Sequence, residues 1–141
     1  MDIQFNNLKQ EKGAIGIIFC DHNCKLIGYG KKLDQFSKKH LSNTINVDES
    51  FKARKSKNFD YLIAHNPQNL TLSKLYIFKL KNIKNASNRD FQILGGNLLS
   101  LIKFYKENNI IIYPDGVSAS KLSFVNSTCE VLLGFLLASY K

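Results

Sequence analysis

The sequence is short of the residues that mark secreted or membrane-spanning proteins. It has only three cysteines in 141 residues, and an odd, small number does not suggest a disulfide framework. The start of the chain lacks the apolar stretch of a secretory signal. The longest apolar run, residues 131–138, is too short to cross a bilayer. These absences predict a cytoplasmic protein that has no membrane partner.

Acidic residues are also scarce, since 11 aspartates and glutamates stand against 20 lysines and arginines, a formal net charge of +9. No carboxylate pair occurs at a catalytic spacing on a predicted helix. The sequence therefore shows no set of residues for general acid–base catalysis or for a two-metal site. The positive charge favours polyanion partners. Tryptophan is absent while Lys, Asn and Ile are abundant, a composition typical of AT-rich coding sequences. Such a coding bias could explain many of the lysines without any polyanion partner.

What the chain does contain is enough apolar sequence for one domain. Its hydrophobic content is 44%, and a chain of this length can bury a substantial core. Hydrophobic periodicity predicts helices over 31–45, 89–107 and a final stretch that begins near Ser118 or Ser120. It predicts strands over 3–5, 14–20, 49–59, 61–65, 74–80 and 110–113. This order predicts an α/β fold in which helices flank a mixed sheet.

Two helices carry more specific expectations. In 89–107, Ser87 or Asn88 is the predicted N-cap. Gly95 and Gly96 lie inside this helical pattern, so they favour close packing over phosphate binding, which needs glycines between a strand and a helix. The final helix is expected to bury the apolar residues Val125, Cys129, Leu132, Leu133, Leu136 and Tyr140.

The stretch "CDHNC", residues 20–24, is the densest group of reactive side chains. Thiolate and imidazole are zinc ligands, and a cysteine beside a histidine can also form a nucleophile pair. No second cluster completes either site, and Cys20 ends a strand that reads as buried. We therefore favour a structural Cys20 that packs as a small hydrophobe. His40, near a helix end where positive charge suits the dipole, and His65, at a strand end, are expected to be surface or capping residues.

The best candidate for polyanion contact is the basic segment 52–57, which lies within the predicted strand 49–59. Phe51 and Phe59 flank it, so stacking on bases is conceivable. An exposed, charged edge strand or hairpin explains the same pattern, because lysines blunt sheet edges. The nucleic-acid candidates are Lys52, Arg54, Lys55 and Lys57.

The end of the chain, "GFLLASYK", resembles the last helix of the N-terminal domain in the leucyl aminopeptidase family, the M17 metallopeptidases. That helix carries a glycine, small or apolar residues, then a small residue, tyrosine and a basic residue. The matching positions are Gly134, Leu136, Leu137, Ala138, Ser139, Tyr140 and Lys141. The helix 89–107 and the strand after it also resemble that domain's layout.

The resemblance implies a macro-like three-layer fold for 1–141, a single N-terminal-type domain without the catalytic domain. In the family, two divalent metals (Mn or Zn) and the catalytic residues belong to that C-terminal domain. No catalytic, metal or cofactor residue therefore carries over. The implied partners are the chain's own catalytic domain and a homo-oligomer, a hexamer in the parent enzyme. The uncapped final helix would lead into the linker.

Two alternatives stay open beside an assembly or regulatory role in an aminopeptidase. Some bacterial relatives bind DNA, so a nucleic-acid-binding module is the second hypothesis. A macro-type ADP-ribose binder is the third, because true macro domains hold ADP-ribose with glycine-rich loops after strands. The segment that follows the last strand, 113–120, does not resemble such a loop.

Overall fold

The computed structural model describes residues 3–5, 13–53, 60–80, 87–106, 109–113, 117 and 124–139. The chain divides into two compact units. The first, called here the sheet unit, comprises Met1–Lys81 and Asn108–Asp115. The second, the helix-pair unit, comprises Asn82–Glu107 and Gly116–Lys141.

The sheet unit is built on five strands in the order β1-β5-β2-β4-β3. Their bounds are β1 Ile3–Phe5, β2 Ile15–Cys20, β3 Asp60–His65, β4 Lys74–Lys79 and β5 Ile110–Ile112. All neighbouring pairs are parallel except β3 and β4, which are antiparallel. The sheet is therefore mixed, as predicted, and β2 lies at its centre between two parallel neighbours.

The core of the sheet unit follows from the sequence of β2. All six of its residues are buried, which explains why the strand is a continuous apolar run without polar alternation. Helical side chains complete this core, among them Leu33, Leu41, Ile45 and Phe51, each at most 2% exposed. Each such side chain contributes roughly 1.5–3 kcal/mol through burial.

Three short helices belong to this unit: α1 Tyr29–Phe36, α2 His40–Val47 and α3 Glu49–Ala53. The single helix predicted over 31–45 is wrong, because the backbone breaks at Lys38 (φ 54°) and Lys39 (φ 63°). Two consecutive left-handed residues end α1 and start α2. His40 is consequently the first residue of α2, at the positive end of the helix dipole, opposite to the end that we expected.

The strand predicted over 49–59 is also wrong in its described part, which forms α3. Asp48 explains the helix: its carboxylate accepts a hydrogen bond from the Phe51 N–H at 2.9 Å, an N-terminal cap. At the other end, the Lys79 ammonium donates to the carbonyl oxygens of Phe51 (2.8 Å) and Lys52 (3.1 Å). Burial of Phe51 against the sheet then fixes this short helix. Residues 54–59 lie outside the described part of the chain.

The helix-pair unit contains α4 Asn88–Tyr105 and α5 Phe124–Ser139. Ser87 caps α4, as predicted, in a reciprocal capping box with Asp90. The two helices approach very closely at glycines. A Cβ at Gly95 would lie 2.7 Å from the Phe135 nitrogen, and one at Gly134 would lie 2.6 Å from the Gln92 Cα. The packing role predicted for Gly95 is confirmed.

The predicted buried face of α5 is wrong. Its buried residues include Ser127, Val131, Gly134 and Phe135. Four predicted core residues are exposed instead: Cys129, Leu132, Leu133 and Leu136. The physical reason is that small residues on α5 allow the backbone of α4 to come close. The face of α5 that carries the glycine therefore packs against α4, and the face that carries the leucines is exposed. The side chains of Val125 and Tyr140 lie outside the described set.

Strands and helices thus form the α/β class that the periodicity predicted. Among the described residues, no helix has both the length and the apolar content needed to span a membrane.

Candidate functional site

The carboxyl end of β2 is the natural place to look for a site in this fold. In open α/β sheets, ligands bind beyond the carboxyl ends of parallel strands, where the connections diverge. β2 has parallel neighbours on both sides, and the chain leaves it through a loop, residues 21–28, that leads directly into α1. We call this segment the β2–α1 loop.

The β2–α1 loop is held in shape by its own hydrogen bonds. One oxygen of the Asp21 carboxylate accepts the N–H groups of Asn23 (2.8 Å) and Lys25 (2.9 Å). The Asp21 N–H donates to the Lys25 carbonyl at 2.8 Å, and the Ile27 N–H donates to the Phe19 carbonyl at 3.1 Å. Such closure leaves the loop little conformational freedom to lose when a ligand binds.

The loop ends on Gly28, which has φ 60° and ψ −139° and forms the N-cap of α1. Side chains rarely permit that conformation, so glycine is needed here. Among the described residues, no side chain caps this helix; the Lys31 N–H donates to the Gly28 carbonyl at 3.1 Å, so the backbone itself closes the first turn. The positive end of the helix dipole lies at Gly28. The arrangement of strand, glycine and uncapped helix N-terminus is the one that receives phosphate groups.

This arrangement was not predicted from the sequence, although two glycines indicate it. Gly28 and Gly30 follow the predicted strand 14–20 and precede the predicted helix that starts at 31. The phosphate-binding hypotheses concerned the pair Gly95 and Gly96 and the segment 113–120 instead. The separated glycines stand where a phosphate-binding loop requires them.

Two stacked tyrosines connect the start of α1 with the end of β5. The rings of Tyr29 and Tyr113 lie 4.9 Å apart between centroids with an interplanar angle of 29°. Both rings are buried, and the Tyr113 N–H donates to the carbonyl of Ile17 at 3.0 Å. The stack gives the carboxyl ends of β2 and β5 a rigid apolar base.

The cysteines of "CDHNC" lie at the start of the loop. Cys20 is fully buried, as expected for a small hydrophobe at a strand end. Burial, with smaller contributions from Cys24 and Asp21, raises the pKa of its thiol to about 12, so it carries no thiolate at neutral pH. Among the described residues, no three His, Cys, Asp or Glu side chains are grouped as a metal site would require.

Of the four cationic residues predicted in the basic segment, the structure describes Lys52. This residue is in the last turn of α3, where its ammonium lies 3.2 Å from the carboxylate of Glu49. The other three candidates, Arg54, Lys55 and Lys57, lie outside the described residues, so their role stays a prediction. His65 ends β3 and is exposed.

The residues that resemble the aminopeptidase motif lie at the end of α5. Gly134 contacts α4, while Leu136 and Leu137 are 48% and 52% exposed. Ala138 and Ser139 complete the helix. Tyr140 and Lys141 are outside the described part.

Comparison with known proteins adds information on the fold. No protein-family model matches the chain, and no curated protein sequence matches it either. Among solved structures, the macrodomain of Mycobacterium tuberculosis DarG is similar, with a TM-score of 0.64 and 10% sequence identity. The match covers 96% of this chain and 91% of that chain. The macro-like fold predicted from the resemblance is therefore confirmed, while the aminopeptidase assignment receives no support.

Proposed function

We propose that this chain is a macro-type binding module that holds a phosphorylated nucleotide of the ADP-ribose class at the β2–α1 loop. The observation that carries the proposal is the uncapped N-terminus of α1, preceded by Gly28, at the carboxyl end of the central strand. The likeness to a macrodomain supports it, because macro-type domains hold ADP-ribose with glycine-containing loops after strands. This corresponds to the third hypothesis from the sequence, at a different loop.

In this proposal, the protein binds the ligand mainly through its backbone. The positive end of the α1 dipole would favour the negative charge of the phosphate groups, which would lie against the backbone at Gly28. The Asp21 hydrogen bonds would keep the loop in the binding conformation before the ligand arrives. Because burial keeps Cys20 protonated, Cys20 is not proposed as a nucleophile.

The aminopeptidase interpretation shares the fold but has less support. Its specific motif lies on α5, far along the sequence from the β2–α1 loop, and no comparison supports the family. A non-catalytic assembly domain, with a catalytic domain, a hexamer and two metals elsewhere, remains a prediction of the resemblance alone.

Calorimetric titration of the whole chain with ADP-ribose tests the proposal. We expect saturable binding of one ligand per chain, and at least about tenfold weaker binding for Gly28→Ala, because alanine cannot hold this loop conformation without strain. Gly13→Ala is the matched control. Gly13 also has a positive φ, 76°, but it precedes β2 at the opposite end of the strand.

Two results would contradict the proposal. One is the absence of heat with ADP-ribose and ADP for a chain whose circular dichroism shows it folded. The other is equal weakening by Gly28→Ala and Gly13→Ala, which would indicate general destabilisation.

A further inference from the structure

A lysine-lined depression lies in the sheet unit beside the β2–α1 loop. Its volume is about 570 Å³, and its walls come from the loop, α1, α2 and the end of α3. Four lysines line it: Lys25, Lys31, Lys39 and Lys52. These lysines lie at separate positions between 25 and 52, and folding brings them to one place.

The described carboxylate in this depression already accepts hydrogen bonds from the protein. Among the described residues, Asp34 is the one carboxylate that lines it, and it accepts the Ser42 N–H at 2.9 Å and also a short hydrogen bond from the Ser42 hydroxyl. Asp34 thereby caps α2, whose own N-cap residue, Lys39, provides no side-chain acceptor. The carboxylate serves the helix and is not paired with the surrounding ammonium groups.

The lysines themselves are largely unpaired. Lys52 pairs with Glu49, whose side chain is 84% exposed, so that ion pair is weak and exchangeable. Within the described ranges, Lys25, Lys31 and Lys39 have no ion-pair partner. The depression therefore presents a net positive charge to solvent, on a chain that already carries +9.

The backbone holds one of these lysines in an unusual conformation. Lys39 has φ 63°, a left-handed geometry that glycine and asparagine adopt far more readily than lysine. The adjacent Lys38 shares the geometry, with φ 54°, yet it does not line the depression. The same tight turn thus provides a lysine inside the site and a nearly identical lysine outside it.

We propose that this depression binds the phosphodiester backbone of single-stranded nucleic acid. Four cations from the loop, α1, the turn before α2 and α3 suit a chain of phosphates better than one compact anion. Amide side chains also line it, those of Asn23, Gln35 and Asn46, and amides can bond to base edges and sugars. A flexible strand can follow a hollow of this size, whereas a duplex is too stiff to bend into it.

This inference does not depend on nucleotide binding at the start of α1. Of the residues predicted from the sequence to contact nucleic acid, Lys52 lines the depression, and Arg54, Lys55 and Lys57 lie outside the described residues. The other three lysines of the depression come from the loop, α1 and the turn before α2.

Fluorescence anisotropy with a labelled oligothymidylate, recorded over a series of KCl concentrations, tests it. Four phosphate contacts predict a slope of log K against log salt of about −2.8, at about −0.7 for each contact. Lys39→Asn should flatten the slope by about 0.7 and weaken binding about fivefold at 0.1 M salt, the factor that this slope gives for one contact.

Lys38→Asn is the control, because it removes the same charge from the same turn with a residue that tolerates the same φ. If the contact at Lys39 is specific, Lys38→Asn should change log K by no more than about 0.2 and the salt slope by no more than about 0.2. Equal effects of the two variants would overturn the proposal, since they would indicate general charge attraction. So would absence of binding at 50 mM KCl, equal affinity for a duplex, or equal competition by poly-glutamate, which would identify an acidic peptide surface.

Discussion

The helices of the two units are stabilised in opposite ways. In the sheet unit, the short helices α2 and α3 depend on polar side chains that cap them from outside, such as Asp34, Asp48 and Lys79. In the helix-pair unit, the long helices α4 and α5 depend on close backbone contact at Gly95 and Gly134. Polar side chains from outside the helix cap α2 and α3, whereas the absence of a side chain at two glycines lets α4 and α5 pack closely.

The difference shows where each unit can tolerate change. A helix that is capped by residues outside it keeps its own side chains available for binding. Two lysines of the depression are of this kind: Lys39, directly before α2, and Lys52, in α3. Where α4 and α5 meet at Gly95 and Gly134, substitution is not tolerated, because an added Cβ would contact the backbone of the other helix. The candidate binding surfaces accordingly lie in the sheet unit.

The comparison is tested most severely by two neighbouring glycines of α4. Gly95→Ala places a Cβ against the Val131 carbonyl oxygen and 2.7 Å from the Phe135 nitrogen, so the helices must separate. We expect a loss of about 3 kcal/mol in the free energy of unfolding, measured by urea denaturation. Gly96→Ala meets only Ala138, at 3.8 Å, and should stabilise by about 0.5–1 kcal/mol through helix propensity.

Because both variants make the same chemical change one residue apart, helix propensity alone would give them the same sign. Equal stabilisation of Gly95→Ala and Gly96→Ala would therefore show that the close approach of α4 and α5 does not exist in solution.

The second test concerns the cap at the end of α3. Lys79→Met keeps most of the side-chain volume but removes the hydrogen bonds to the carbonyls of Phe51 and Lys52. Leaving these carbonyls unpaired should cost about 2 kcal/mol, again in urea denaturation. Lys52→Met is the matched control, because it removes only an exposed ion pair with Glu49 and should cost about 0.5 kcal/mol or less. Equal costs would mean that the buried ammonium contributes no more than a surface charge.

Much of the fold could be predicted from the sequence, because long apolar periodicities persist in the folded chain. The strands at 14–20 and 74–80 and the helix over 89–107 were predicted within two residues of their observed bounds. The errors lie where tertiary contacts override local pattern. The αL break at Lys38 and Lys39 has no glycine or asparagine to announce it.

The helix at 49–53 was mistaken for a strand because the cap at its end, Lys79, comes from β4 and is remote in sequence. The cap at its start was readable, since Asp48 and Glu49 are typical of a helix N-terminus. On α5, hydrophobicity predicted burial of leucines, but close packing selected small residues, and periodicity alone cannot distinguish these faces.

The candidate sites were less predictable than the fold. The glycines around Tyr29 were readable as a motif, whereas the lysine depression was not, because its four cations lie between positions 25 and 52 and meet only after three helices fold together. A site assembled from separate elements has no local signature in one sequence.

The smallest expected effect concerns a helix that caps itself. Ser87→Ala removes the side chain that accepts the Asp90 N–H, and loss of this half of the capping box should cost about 1 kcal/mol. Ser100→Ala is the control on the same helix: its hydroxyl bonds only the Gly96 carbonyl within the helix, and alanine there should be neutral or stabilise by up to about 0.5 kcal/mol. Both values come from the same urea titration. If Ser87→Ala costs nothing, α4 is held by its contact with α5 alone, and the contrast between capped and packed helices becomes sharper still.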